Sequence, residues 1–167
     1  SVDLLIQKAP TKIIYNPVTL KNQKFTLNFV TLTVSQPQPI TASEEYRILL
    51  KPFLRKVRQY CKSNVSYVWK CELQKRKQIH YHLTTNQFLH HSWIRNQWNN
   101  LQRKARFLDH YAQIHKHYNA NSTDVHAVYK VRNIAAYLCK YLSKIDNDSI
   151  LDSKIWDCSK DLKIGRA

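Results

Sequence analysis

One glycine in 167 residues, Gly165, is the feature that most narrows what this chain can become. Loops that cradle phosphate with backbone N–H groups need several glycines in a fixed pattern, because glycine takes φ > 0 without steric cost. Neither a P-loop nor a dinucleotide-binding fingerprint can be written with a lone glycine at position 165. If ATP is needed, another domain supplies it. Folds made of many tight glycine turns, cupin-type oxygenases among them, are disfavoured for the same reason.

The charge is the second constraint. Lys plus Arg number 27 against 11 Asp plus Glu, a formal net charge of +16. Such an excess points to a polyanionic partner, nucleic acid first and an anionic membrane second. No apolar run approaches the roughly 20 residues of a membrane span, so no membrane partner is expected. No signal peptide is visible at Ser1, which gives the expectation of a cytoplasmic protein. Cys61, Cys71, Cys139 and Cys158 contain no C-x-x-C pair and read as free thiols rather than a zinc ribbon.

Hydrophobic periodicity orders the rest. The first 25 or so residues, with Pro10 and Pro17, read as an irregular arm (about 1–24) with short extended pieces. "KFTLNFVTLTVSQ" (24–36) alternates and is rich in β-branched residues, so it predicts a strand. Thr41 and Glu44 have capping-box spacing and open a helix to about Cys61, with Pro52 kinking it or marking its start. "VSYVWKCELQ" (65–74) and "QIHYHLTT" (78–85) predict two strands around the basic turn Lys75, Arg76, Lys77. A basic helix over 92–115, a strand over 122–129, a helix over 131–144 and a last strand within 153–163 complete the order. Hairpin-linked strands mixed with helices predict an α+β fold, a central antiparallel sheet flanked by helices. No composition shift marks a boundary, so one domain over 1–167 is expected.

Within that sheet, "IHYHL" raises the question of chemistry. Side chains two apart on a strand share a face, so His80 and His82 stand together while Tyr81 points away. With a three-residue loop at 75–77, Glu72 lies directly across from His80 on the same face. Two imidazoles and a carboxylate then form a facial ligand set with open positions. A shift of one residue in register would turn Glu72 to the other face. Two half-exposed histidines in a chain with eight are the bland alternative.

"AAYLCKYLSK" (135–144) repeats a four-residue unit. Tyr137 and Tyr141, one helical turn apart, project together, beside the basic row of Lys140 and Lys144. Tyrosines packed half into a core are the alternative for this helix. A phenol, with a pKa near 10, is a poor nucleophile at neutral pH. A divalent metal on a scissile phosphate and nearby ammonium groups would offset that weakness. The basic segment from Arg95 to Arg106, with Trp93 and Trp98, could hold a DNA strand by charge and stacking, or could be a solvated face over core tryptophans.

Taken in order, these motifs resemble the HUH endonucleases, and among them the initiators of rolling-circle replication. "FVTLTV" (29–34) looks like their first-strand motif, and "IHYHL" like their histidine-hydrophobe-histidine motif. Glu72 matches the carboxylate that completes the metal site, and "YLCKYLSK" the two-tyrosine motif found in replication proteins of small single-stranded DNA phages. "IWDCSKDL" (155–162) is similar to a tail seen in some bacterial and phage initiators. The resemblance implies an RRM-like palm of about five antiparallel strands. It implies Mg²⁺ or Mn²⁺ on His80, His82 and Glu72, and nicking of single-stranded origin DNA, hairpin forms included, by Tyr137 or Tyr141. A 5′-phosphotyrosine and a free 3′-OH would result, in the cytoplasm of a bacterial or phage-infected cell, with a helicase or host replication proteins as further partners. Relaxases and transposases of the same class are the nearby alternative. From other classes, a non-catalytic single-strand-binding module leaves the triad unexplained, and a metal oxygenase leaves the charge unexplained.

Overall fold

The computed structural model describes residues 5, 12–16, 20–25, 27–35, 39–73, 78–128 and 156–163. The predicted tyrosine helix, with Tyr137, Lys140, Tyr141 and Lys144, lies outside the described residues, as does the basic turn at 75–77.

Seven strands are described: β1 (Lys12–Asn16), β2 (Lys21–Phe25), β3 (Leu27–Thr33), β4 (Tyr67–Leu73), β5 (Ile79–Thr85), β6 (Thr123–Val128) and β7 (Trp156–Cys158). β1 and β2 form their own antiparallel pair. The other five make one sheet in the order β6-β3-β5-β4-β7, antiparallel at every pairing. The predicted α+β class and five-stranded antiparallel sheet are therefore present.

The helices are α1 (Ala42–Glu45), α2 (Lys51–Tyr60), α3 (His91–Lys104) and α4 (Asp109–His115). Thr41 caps α1, its hydroxyl accepting from the Glu44 N–H at 3.1 Å. Between α1 and α2 the chain widens into a π-helical turn, Tyr46–Leu50, and the Lys51 N–H reaches back to the Tyr46 carbonyl. Pro52, with no N–H to give and a ring that crowds the preceding turn, stands where ordinary α geometry resumes.

One face of the sheet carries Val30, Leu32, Trp69, Cys71, Tyr81 and Leu83. Leu49, Leu50, Phe53 and Val57 from the first helical stretch and Ile94, Trp98 and Leu101 from α3 cover it. Each such side chain, fully buried, contributes about 1.5–3 kcal/mol. Trp98 is wholly buried, and its indole N–H donates to the Thr33 carbonyl at 2.8 Å. It is a core residue and offers no stacking surface to DNA.

Three sequence expectations need correction. The arm holds a β-hairpin, β1–β2, and the predicted strand over 24–36 is divided between β2 and β3. The helix over 92–115 is broken between Lys104 and Asp109, where Arg106 adopts φ 69°. The break lets Phe107 and Leu108 turn into the core, where they are 1% and 0% exposed. Their burial offsets the roughly 1–2 kcal/mol that a left-handed arginine costs. The last strand is three residues long and runs into a 3₁₀ turn, Lys160–Leu162. Cys61, Cys71 and Cys158 are free thiols, and Cys139 lies outside the described residues.

Candidate functional site

The second face of the sheet is polar around β5. The β4–β5 register pairs Leu73 with Ile79, Glu72 with His80 and Lys70 with His82. Glu72 therefore lies across from His80, as the three-residue loop predicted, with His82 the next residue along that face. The carboxylate reaches diagonally: Glu72 Oε2 lies 2.8 Å from His82 Nε2.

β3 supplies a support that sequence reasoning missed. Thr31 pairs with His82 and Thr33 with His80. Thr31 Oγ1 stands 3.3 Å from His82 Nδ1, and Thr33 Oγ1 stands 3.5 Å from His80 Nδ1. A hydroxyl can donate or accept, so it suits either tautomer of the ring beside it. Phe29, two residues before Thr31, stacks on the His82 ring with centroids 5.9 Å apart and planes at 24°. His82 is thus held at Nδ1, at Nε2 and across its face. The signal was already in "FVTLTV": Phe29, Thr31 and Thr33 alternate onto one face of a strand.

Burial, and then the neighbouring His82, lower the His80 pKa below its usual 6.5, and Glu72 opposes them. The balance favours the neutral imidazole, the form that can ligate a cation. Among the described residues no three His, Cys, Asp or Glu side chains are already gathered into a metal-ready cluster. Glu72 and His82 meet in a hydrogen bond, with His80 beside them on the same face. The donor chemistry fits a divalent cation nonetheless: a carboxylate and two imidazoles, the latter with threonine hydroxyls near their Nδ1 atoms.

Two further residues went unnoticed in the sequence. Lys70, 5% exposed, pairs with His82 and so shares the histidine face. The period-2 rule that found Glu72 also points to Lys70, two residues earlier. Glu45 lies beneath the strand. Tyr81, between the two histidines, points into the core and donates its hydroxyl to Glu45 Oε1 at 3.2 Å. Burial pushes the Glu45 pKa up to about 7, partly opposed by that hydrogen bond. Burial also raises the Tyr81 pKa, so its phenol stays protonated as the donor. A glutamate in a first helical turn ordinarily reads as a solvated partner of the helix dipole, which is why Glu45 gave no sequence signal.

No helix among the described residues is long and apolar enough to cross a membrane. Comparison with curated proteins and with solved structures finds no match. A family model does match, over residues 27–146, which takes in Glu72, His80, His82, Tyr137 and Tyr141. The family is that of the replication-associated protein ORF2, and on a match covering more than two thirds of its length this chain belongs to that family of DNA replication proteins.

Proposed function

We propose that this protein nicks and rejoins single-stranded DNA by tyrosine transesterification, to initiate and terminate rolling-circle replication. The observation that carries the reading is the β4–β5 register, which puts Glu72, His80 and His82 on one face with Glu72 and His82 2.8 Å apart. Membership of a replication family and the charge of +16 support DNA as the substrate.

His80, His82 and Glu72 would hold Mg²⁺ or Mn²⁺, which when bound polarises the scissile phosphate and stabilises charge that builds on it. The phenol oxygen of Tyr137 or Tyr141 bonds to phosphorus as the bond to the 3′-oxygen breaks. The phenol proton ends on that oxygen, leaving a 5′-phosphotyrosine and a free 3′-OH. The reverse step, with a new 3′-OH, rejoins the strand. Lys140 and Lys144 would steady the phosphate charge. Starting replication and releasing its product require two cleavages. A second tyrosine one helical turn away can attack while the first still carries a 5′ end.

Incubation with labelled single-stranded oligonucleotides and Mn²⁺ tests the reading. A covalent adduct is expected, and peptide mass spectrometry should place it on Tyr137 or Tyr141. The Tyr137→Phe and Tyr141→Phe variants should each retain some cleavage, and the double variant should form no adduct. An adduct that survives the double change removes both tyrosines from the mechanism. One dead single variant beside one that cleaves like wild type makes this a one-tyrosine enzyme. DNA binding with no adduct from the unaltered protein would mark a binding module.

A further inference from the structure

The ladder pairings trace one continuous row across the whole sheet on the histidine face. Asp124 pairs with Thr31, Thr31 with His82, His82 with Lys70, and Lys70 with Trp156. Neighbouring strands lie about 4.8 Å apart, so Trp156 is two strands, roughly 10 Å, from His82. Trp156 stands on β7, the outermost strand, and is 51% exposed. The other three tryptophans are committed elsewhere. Trp69 and Trp98 are 3% and 0% exposed, and Trp93 packs on Phe53 and Tyr60. A singly exposed aromatic residue needs no explanation by itself. This one sits at the end of a row that passes through a lysine to the candidate metal ligand.

We propose that Trp156 is a stacking platform for a base of the single-stranded DNA, on a path along the row in which Lys70 lies under the backbone between that base and His82. The proposal rests on the reading of the histidine face as the cleaving face, and it adds a binding subsite to it. The occupant follows from chemistry. An indole face stacks on any base, a lysine favours phosphate, and the chain's excess of 16 positive charges suits a polyanion. A duplex keeps its bases stacked on one another, so an isolated platform of this kind favours a single strand.

The test uses the whole chain in EDTA, where no metal-dependent cleavage interferes. The probes are a thymidine oligonucleotide and an abasic strand with the same number of phosphates. The unaltered protein should bind the thymidine strand about 5- to 150-fold more tightly than the abasic one, with quenching of tryptophan fluorescence. Trp156→Ala should remove most of that preference and most of the quenching. Trp156→Tyr should restore the preference, and Trp156→Leu, apolar but without a π face, should not. Lys70→Gln should reduce the salt dependence of binding by about 0.7 in log K against log salt, and Lys70→Arg should restore it. A Trp156→Ala protein that still prefers the thymidine strand as wild type does would overturn the proposal, whatever the nicking assay shows. An unchanged salt slope in a folded Lys70→Gln protein would overturn the path over Lys70. If the preference depends on Trp156 but no strand is ever cut, the subsite stands and the nicking reading falls.

Discussion

On one side of β5, Ile79, Tyr81 and Leu83 enter a core closed by the helices, and on the other, His80 and His82 meet Glu72, Thr31, Thr33 and Lys70. Seven consecutive residues, Ile79–Thr85, therefore serve two environments. The apolar side fixes where the strand lies. The polar side inherits that position, because a pleated strand cannot move one face without the other. Tyr81 links them. It fills the core between the two histidines, and its hydroxyl is tied to Glu45 on the helical layer. The comparison teaches that placing the candidate ligands is the work of the core face, while ligand chemistry belongs wholly to the polar face. Changes on the two faces should therefore separate stability from activity.

The largest effect is expected on the polar face. The His80→Ala, His82→Ala double variant should lose nicking to background, as should the unaltered protein in EDTA. Its unfolding free energy should change by no more than about 1 kcal/mol, because neither ring belongs to the apolar core. Full nicking by this variant would end the metal hypothesis.

The mirror experiment is Leu83→Ala on the same strand. Leu83 is 0% exposed, and truncating it should cost about 2–5 kcal/mol in denaturant unfolding. The protein that remains folded should bind Mn²⁺ as wild type does. A matching fall in metal affinity would show that the two faces are not separable.

Glu45 sharpens the comparison through pH. Its folded-state pKa is about 7 against an ordinary 4.5, so between those values the folded chain holds a proton that the unfolded chain has lost. Stability from this group is therefore fully present below pH 4.5 and is lost as pH rises through 7. The whole loss is at most about 3 kcal/mol. Glu45→Gln, neutral at every pH, should flatten that decline and be the more stable protein at pH 8. A wild-type stability that does not fall between pH 5 and 8 by more than the variant's would remove the buried carboxyl from this account.

The hairpin and its register were legible because alternation and a short basic turn constrain each other: once Leu73 and Ile79 face inward, Glu72 and His80 must face outward. What was illegible depends on distant partners. Trp98 looks like a candidate for stacking on a basic helix, until Thr33, 65 residues away in sequence, accepts its N–H. Glu45 looks solvated until Tyr81 reaches it across 36 residues. The break at Arg106 has neither glycine nor proline to announce it, and is imposed by the burial of Phe107 and Leu108. β2, "KNQKF", lacks the alternation that marks a half-buried strand and gave no periodic signal. The tyrosine motif was read from its four-residue repeat alone, and its residues lie outside those described.

The smallest effect should come from Thr31→Val, and it probes the polar face without touching the core. Valine keeps the β-branched shape, so the strand and its pairing with β5 should persist. What is lost is the hydroxyl 3.3 Å from His82 Nδ1. In the structure His82 Nε2 faces the Glu72 carboxylate, so an Nε2–H donates there while Nδ1 accepts from Thr31. For Nε2 to ligate a cation, the ring proton must sit on Nδ1, and the threonine oxygen must accept it. Thr31 can serve both states by rotating its hydroxyl, whereas valine serves neither. Partners of this kind are worth about 10- to 100-fold in metal affinity. Calorimetric titration with Mn²⁺ should therefore show a loss of that size for Thr31→Val. Thr33→Val should lose less, since its hydroxyl stands 3.5 Å from His80 Nδ1 and makes the weaker contact. Equal Mn²⁺ affinity in wild type and Thr31→Val would mean that His82 is oriented by the Phe29 ring and the strand alone, with no contribution from β3 hydroxyls.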